Sequence, residues 1–177
     1  LALRAERAPN ADGADLLGYG RDWSAGLTAA ADAAVVIVLD ADLDETDLAA
    51  LAGIPGELVL LGTVAHDWIR QAALVLPVTT FAEENGTFVN RDRRVQRFQQ
   101  ARAQPAMARP AWWVASEVLA GPGPDADVPS TAAEAFDIVA RRYPAFAGLS
   151  HAELGFSGRV LVAQAGALVC TVQDFVS

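Results

Sequence analysis

Two histidines, His66 and His151, are the only imidazoles in this 177-residue sequence, and they stand far apart. Neither has a second His, a Cys or a paired carboxylate at the spacing of a His-Glu-x-x-His zinc site, so we expect structural roles for both. Acids cluster at Asp40, Asp42, Asp44, Glu45 and Asp47, and again at Glu83-Glu84. The first run alternates like a calcium loop, but its sixth position is not glycine and its twelfth, Leu51, cannot supply a bidentate carboxylate. Acids at a helix start, beside its positive end, explain it better. Asp40 closes an expected strand, where ligands of parallel sheets bind. The lone Cys170 excludes a disulfide, an iron–sulfur cluster or a cysteine zinc site within the chain. Phosphate loops of the G-K-S/T type and G-x-S-x-G nucleophile elbows are absent from the sequence.

Charge is unevenly spread. The net charge is −9, yet all 13 basic residues are arginine, and Arg91, Arg93, Arg94, Arg97, Arg102 and Arg109 gather in one short stretch with Asp92 as the only acid. Arginine forks suit phosphate or carboxylate recognition. The acidic remainder would repel nucleic acid, so a solvated arginine face or ion pairing is expected instead. No run approaches the roughly 18 consecutive apolar residues of a membrane span. The chain opens on Leu1 and its one methionine is Met107, so we expect a piece of a longer reading frame.

These side chains need elements to hold them. Residues 1–20 read as irregular, and Asp22 to Ala34 as helix-compatible. The β-branched run Ala34 to Leu39 predicts a strand buried on both faces. Asp44 or Thr46 can cap a helix through Ala52, and Glu57 to Leu61 predicts a second strand. A helix from Thr63 to Gln71 and a third strand over Ala73 to Leu76 complete an alternation that implies parallel strands. Segments 81–100 read as extended pieces and turns. Pro110 opens a helix to Ala120, Gly121 to Asp125 is a linker, and Thr131…Glu134 and Ser150…Glu153 have capping-box spacing. Val160 to Val172 could form a final strand. The fold class expected is α/β, a Rossmann-like, mainly parallel sheet with flanking helices and a small helical C-terminal region. Its expected divisions are an α/β domain over 1–120, a linker over 121–129 and a helical region over 130–177 ending in an apolar segment.

One stretch carries more than composition. Val75-Leu76-Pro77, Phe81, Glu83, Gly86-Thr87-Phe88, Asn90, Arg94 and Gln96 match in order and spacing the signature of the molybdopterin oxidoreductase superfamily, which this stretch resembles. Ala108-Arg109-Pro110-Ala111-Trp112 is similar to that family's next helix start. Asp92 replaces the usual Glu, and Arg93 stands where many members have Gly. Within the superfamily, Asn10 to Gly18 and Pro144 to Gly155 most resemble the large iron–sulfur subunit of bacterial NADH:quinone oxidoreductase. Formate dehydrogenases and nitrate reductases are the alternative, in which the loop would contribute to the pterin site.

The first resemblance implies a scaffold piece of an oxidoreductase carrying electrons from NADH to quinone. It implies no catalytic residue, metal ligand or cofactor in this piece, with iron–sulfur clusters in earlier domains. It assigns Glu83, Gly86, Thr87, Asn90, Arg94 and Gln96 to a family loop without a cofactor role. The partners implied are other subunits of a respiratory NADH dehydrogenase complex, peripheral on the cytoplasmic side of the bacterial inner membrane. Neither nucleic acid binding nor direct membrane insertion is implied.

Overall fold

The computed structural model describes residues 10–20, 22–39, 43–65, 67–120 and 128–161. In chain order its elements begin with α1 (Ala11–Leu16), α2 (Trp23–Ala30), β1 (Val35–Leu39), α3 (Glu45–Ala52), β2 (Glu57–Gly62) and β3 (Leu74–Pro77). There follow β4 (Gly86–Val89), β5 (Arg94–Phe98), α4 (Ala111–Ala120), α5 (Ala132–Arg142), α6 (His151–Leu154) and β6 (Arg159–Val160). Short 3-10 turns lie at Asp67–Gln71 and Pro144–Phe146. The class is the expected α/β one, with a parallel three-stranded sheet flanked by helices and a small helical C-terminal region. No helix among the described residues is long and apolar enough to cross a membrane.

The chain divides into two units. One takes its described residues from Arg21–Glu84 and Gln100–Val128, and the other from Leu1–Gly20, Asn85–Gln99 and Pro129–Ser177.

The first unit holds the parallel sheet in the order β1-β2-β3, with Val35 opposite Glu57 and Val59 opposite Leu74. Side chains alternate across it. Val36, Val38, Leu58 and Leu60 form one face, packed by Leu27 of α2, Leu48 and Leu51 of α3, and Ile69. On the other face Val59, Leu61 and Leu76 pack with Val78 against Ala111, Trp113 and Val114 of α4. Caps fix the helices: Asp22 accepts from the Ala25 N–H, and Asp44 and Asp47 form a reciprocal capping box.

Two expectations change here. β1 is not buried on both faces: Val35, Ile37 and Leu39 remain 54%, 52% and 55% exposed. It is an edge strand, and the apolar side chains of α4 cover β2 and β3 instead. The helix expected from Thr63 is only the 3-10 turn Asp67–Gln71. A 3-10 turn rises about 2.0 Å per residue, so it carries the chain further per residue between β2 and β3 than an α-helix does.

The second unit is built on the antiparallel β4–β5 hairpin, extended by β6. Val89 and Val95 share a core with Phe136 and Ala140 of α5, Phe146 and Leu154. Phe136 meets Phe146 edge to face, with centroids 6.2 Å apart. The region expected to be irregular before residue 20 contains α1, which places Leu16 and Leu17 on this core. Six residues around Gly13 are too short to be stable alone, so tertiary packing holds this helix. Thr131 and Ser150 cap α5 and α6 as their spacing predicts. The linker expected over 121–125 and most of the expected last strand, including Cys170, lie outside the described residues.

Candidate functional site

The family-like stretch begins where β3 ends. Val78 bridges in parallel to Arg109, and the Thr79 N–H donates to the Arg109 carbonyl at 3.1 Å. The chain then turns: the Glu83 N–H donates to the Thr80 carbonyl at 2.9 Å, while the Glu83 carboxylate accepts from the Thr80 N–H at 3.1 Å. Glu83 is 6% exposed, so a buried charge is held mainly by this backbone turn. Its other oxygen lies 3.8 Å from Arg102 Nε, but that arginine is 75% exposed, and such pairs contribute roughly 0–1 kcal/mol.

Beside it, the buried Thr79 hydroxyl donates to Glu84 Oε2 at 2.8 Å. Burial pushes the Glu84 carboxyl above its ordinary value of 4.5, outweighing the Thr79 bond that lowers it. A raised folded pKa means the folded state binds more protons above pH 4.5, so stability from this group falls as pH rises through the folded pKa. Glu84→Gln, which keeps an acceptor for Thr79, is expected to be more stable than the native chain at neutral pH. The advantage should fade as pH falls toward 4.5. Urea unfolding followed by tryptophan fluorescence checks it, because Trp23, Trp112 and Trp113 all belong to the sheet unit.

From Gly86 onward the signature belongs to the hairpin unit. Gly86 begins β4 opposite Phe98, where an added Cβ would stand 2.5 Å from the ring. That close approach lets Phe98 stack obliquely on Phe88, centroids 4.6 Å apart. Asn90 organises the turn: its Oδ1 accepts from the N–H groups of Asp92 and Arg94, both at 2.9 Å. Its amide donates to Gln96 Oε1 at 3.5 Å, a long and weak bond. Arg94 Nη1 donates to the Ser157 carbonyl at 3.1 Å, tying the hairpin to the segment before β6. Thr87 faces Arg97 across the hairpin.

Arg93 has φ 55°, in the left-handed region. The departure noted in the sequence is thus a backbone matter, since glycine occupies this conformation without the Cβ penalty. Arg93→Gly is expected to stabilise the hairpin by about 1 kcal/mol. Slower amide exchange at Val89 and Val95 would show it.

The structure therefore brings together Gly86, Thr87, Asn90, Arg94 and Gln96 in one hairpin, and it places Glu83 in the other unit. The clustered arginines are divided between the two units. Arg94 and Arg97 belong to the hairpin unit, with Arg97 lying 5.1 Å from the Phe156 ring centroid, whereas Arg102 and Arg109 belong to the sheet unit. His66, Asp40 and Asp42 lie outside the described residues. Asp44, Glu45 and Asp47 sit at the start of α3, as helix-start acids should. His151 opens α6 with its ring packed edge to face on Phe136. Thr79, two residues beyond Pro77 at the strand end, is a buried polar residue of this turn that no motif in the sequence marks.

A pterin group would need polar side chains turned away from the chain's own backbone. Here Glu83, Asn90 and Arg94 bond to backbone groups, and Asn90 also to Gln96. Among the described residues no three His, Cys, Asp or Glu side chains are placed to hold a metal ion.

The family model for molybdopterin oxidoreductase matches residues 19–120. F420-dependent formate dehydrogenase 2 subunit alpha of Methanococcus maripaludis is 38% identical over 91 residues, covering 50% of this chain and 13% of that protein. F420-dependent formate dehydrogenase 1 subunit alpha of the same organism is 34% identical over 89 residues, covering 49% of this chain and 13% of its own length. The chain thus spans only a small part of the relatives it matches.

Proposed function

The chain belongs to the molybdopterin oxidoreductase family, and on that premise we propose that it is a framework domain of a formate-oxidising molybdenum enzyme. The supporting observation is its similarity to formate dehydrogenase alpha subunits. These relatives favour this reading over a scaffold piece of NADH:quinone oxidoreductase. Formate oxidation releases carbon dioxide, a proton and two electrons, and the family's cofactor, when bound, takes up the electron pair.

This chain's contribution in that assignment is positional. The buried Glu83 and Thr79 pin the exit from β3, and Asn90 pins the hairpin, so both segments are rigid where other parts of the enzyme can use them. Clusters that carry electrons, and the subunits that accept them, belong to the rest of the enzyme.

The test is an assay of the natural polypeptide that contains this sequence, offered formate with an artificial electron acceptor, alongside elemental analysis. Formate-dependent dye reduction with bound molybdenum or tungsten is expected. NADH-dependent quinone reduction without formate oxidation would overturn the assignment.

A further inference from the structure

The His151 imidazole stands where a positive charge would be poorly received. Its ring packs edge to face on Phe136 of α5, centroids 6.2 Å apart, and its Nε2 is buried without a hydrogen-bond partner. Arg97 Nε, on β5 of the same unit, is also buried and unpartnered. Arg97 and His151 line a common cavity of about 220 Å³ with Phe98, Gln99 and Thr131, and none of its described lining residues is an acid. A proton added to this ring would therefore create a cation whose Nε2 lacks an acceptor, near a second cation. Burying a charge is costly unless it is paired.

We propose that His151 is an acid-sensitive latch: as a neutral ring it lets α6 close on α5 and β5, and protonation releases α6 and the β6 edge that follows it. The contacts it controls run onward along the chain. Leu154, at the end of α6, is 2% exposed and shares the core with Val95 and Phe136. Its carbonyl accepts the Gly158 N–H at 2.9 Å, and Arg159 and Val160 then pair with β5. The Ser157 carbonyl holds Arg94 Nη1 at 3.1 Å. α6 has only four residues, and a helix this short depends on tertiary packing. An outward move of His151, its first residue, undoes that packing.

Charges reach the ring from each element packed against it. Arg97 on β5 opposes protonation, and Asp137 on α5 favours it. Asp137 Oδ1 accepts the His151 backbone N–H at 3.1 Å. On α6 itself, the Glu153 carboxylate accepts from the Ser150 hydroxyl. At the start of α5, bonds from Ser130 hold the Glu134 carboxyl below its ordinary 4.5, so it stays charged throughout the histidine range. Burial first, and then the Arg97 charge, outweigh Asp137 and lower the His151 pKa from 6.5. The unfolded ring thus takes up its proton at a higher pH than the folded one. The stability that His151 contributes is present above pH 6.5 and is lost as pH falls through its folded midpoint.

The experiment follows the full 177-residue chain by NMR from about pH 7.5 to about pH 5, the range in which imidazole changes charge. Ring protons report the His151 midpoint, the resonance being assigned by its loss in His151→Gln. Amide exchange at Leu154, Gly158 and Arg159, divided by the intrinsic rate at each pH, reports the opening of α6 and β6. A midpoint below 6.5 is expected, with opening that increases by up to roughly tenfold per pH unit between 6.5 and that midpoint. His151→Gln and His151→Phe, neither of which takes up a proton, should flatten the profile, while His66→Gln should leave it steep. A midpoint at or above 6.5, opening that does not change with pH, or an unchanged slope in both His151 variants would overturn the proposal. Ring titration and exchange of the native chain decide the matter even if neither His151 variant folds.

Discussion

Asn90→Ala should destabilise the hairpin unit by about 2 kcal/mol. Asn90 Oδ1 accepts two backbone N–H bonds at 2.9 Å, from Asp92 and Arg94, within one tight turn. A typical intramolecular hydrogen bond contributes about 0.5–1.5 kcal/mol net, and alanine removes both of these at once. The loss also frees the strained Arg93, whose φ of 55° is held in place by the turn. Asn90→Asp keeps an acceptor oxygen and should recover most of the stability, although it forfeits the weak bond to Gln96. Faster amide exchange of Val89 and Val95 in the alanine variant, largely reversed in the aspartate variant, is the expected result.

Gly158→Ala should be more damaging, at about 3 kcal/mol. Gly158 has φ +69°, and a Cβ there would stand 2.2 Å from the Val95 carbonyl oxygen and 2.7 Å from Gln96 Cγ. The first contact is with backbone, which cannot swing aside as a side-chain tip can. Relieving it means separating the turn after α6 from β5. Its partners would follow: the Arg159–Val95 pairing, the Leu161 N–H bond to the Arg93 carbonyl and the Arg94 bond to Ser157. Val95, fully buried, would lose protection first. Amide exchange at Val95 and Arg159 measures this directly, and a protection pattern equal to that of the native chain would contradict it.

Asn90 lies in the stretch with the strongest family resemblance and Gly158 packs against Val95 and Gln96 of that stretch, so both predictions treat it as a folding device. Glu83 belongs to the same description. Its carboxylate bonds the Thr80 N–H inside a turn, at a place where the chain passes from one unit to the other. A signature that repeats across a family can thus record backbone needs as readily as chemical ones.

The sequence by itself determined the local features. Val35 to Leu39, Glu57 to Leu61 and Leu74 to Leu76 announce strands through β-branched and leucine runs, and Asp22, Asp44, Thr131 and Ser150 mark helix starts through short-range capping. The alternation of those elements was enough for a parallel sheet, and the ordered matches from Val75 to Gln96 were enough for the family. What the tertiary structure alone decided depends on residues distant in the chain. The uncovered face of β1 reflects which strands the α4 side chains reach. The order of α1 reflects packing on a core that also contains Phe136 and Leu154. The left-handed Arg93 and Gly158 obey pairings with β5, and the Arg97–His151 cavity joins residues from separate segments of one unit. Periodicity and capping are written within a few neighbouring residues, whereas burial, close approach and an unpaired nitrogen exist only once distant segments meet.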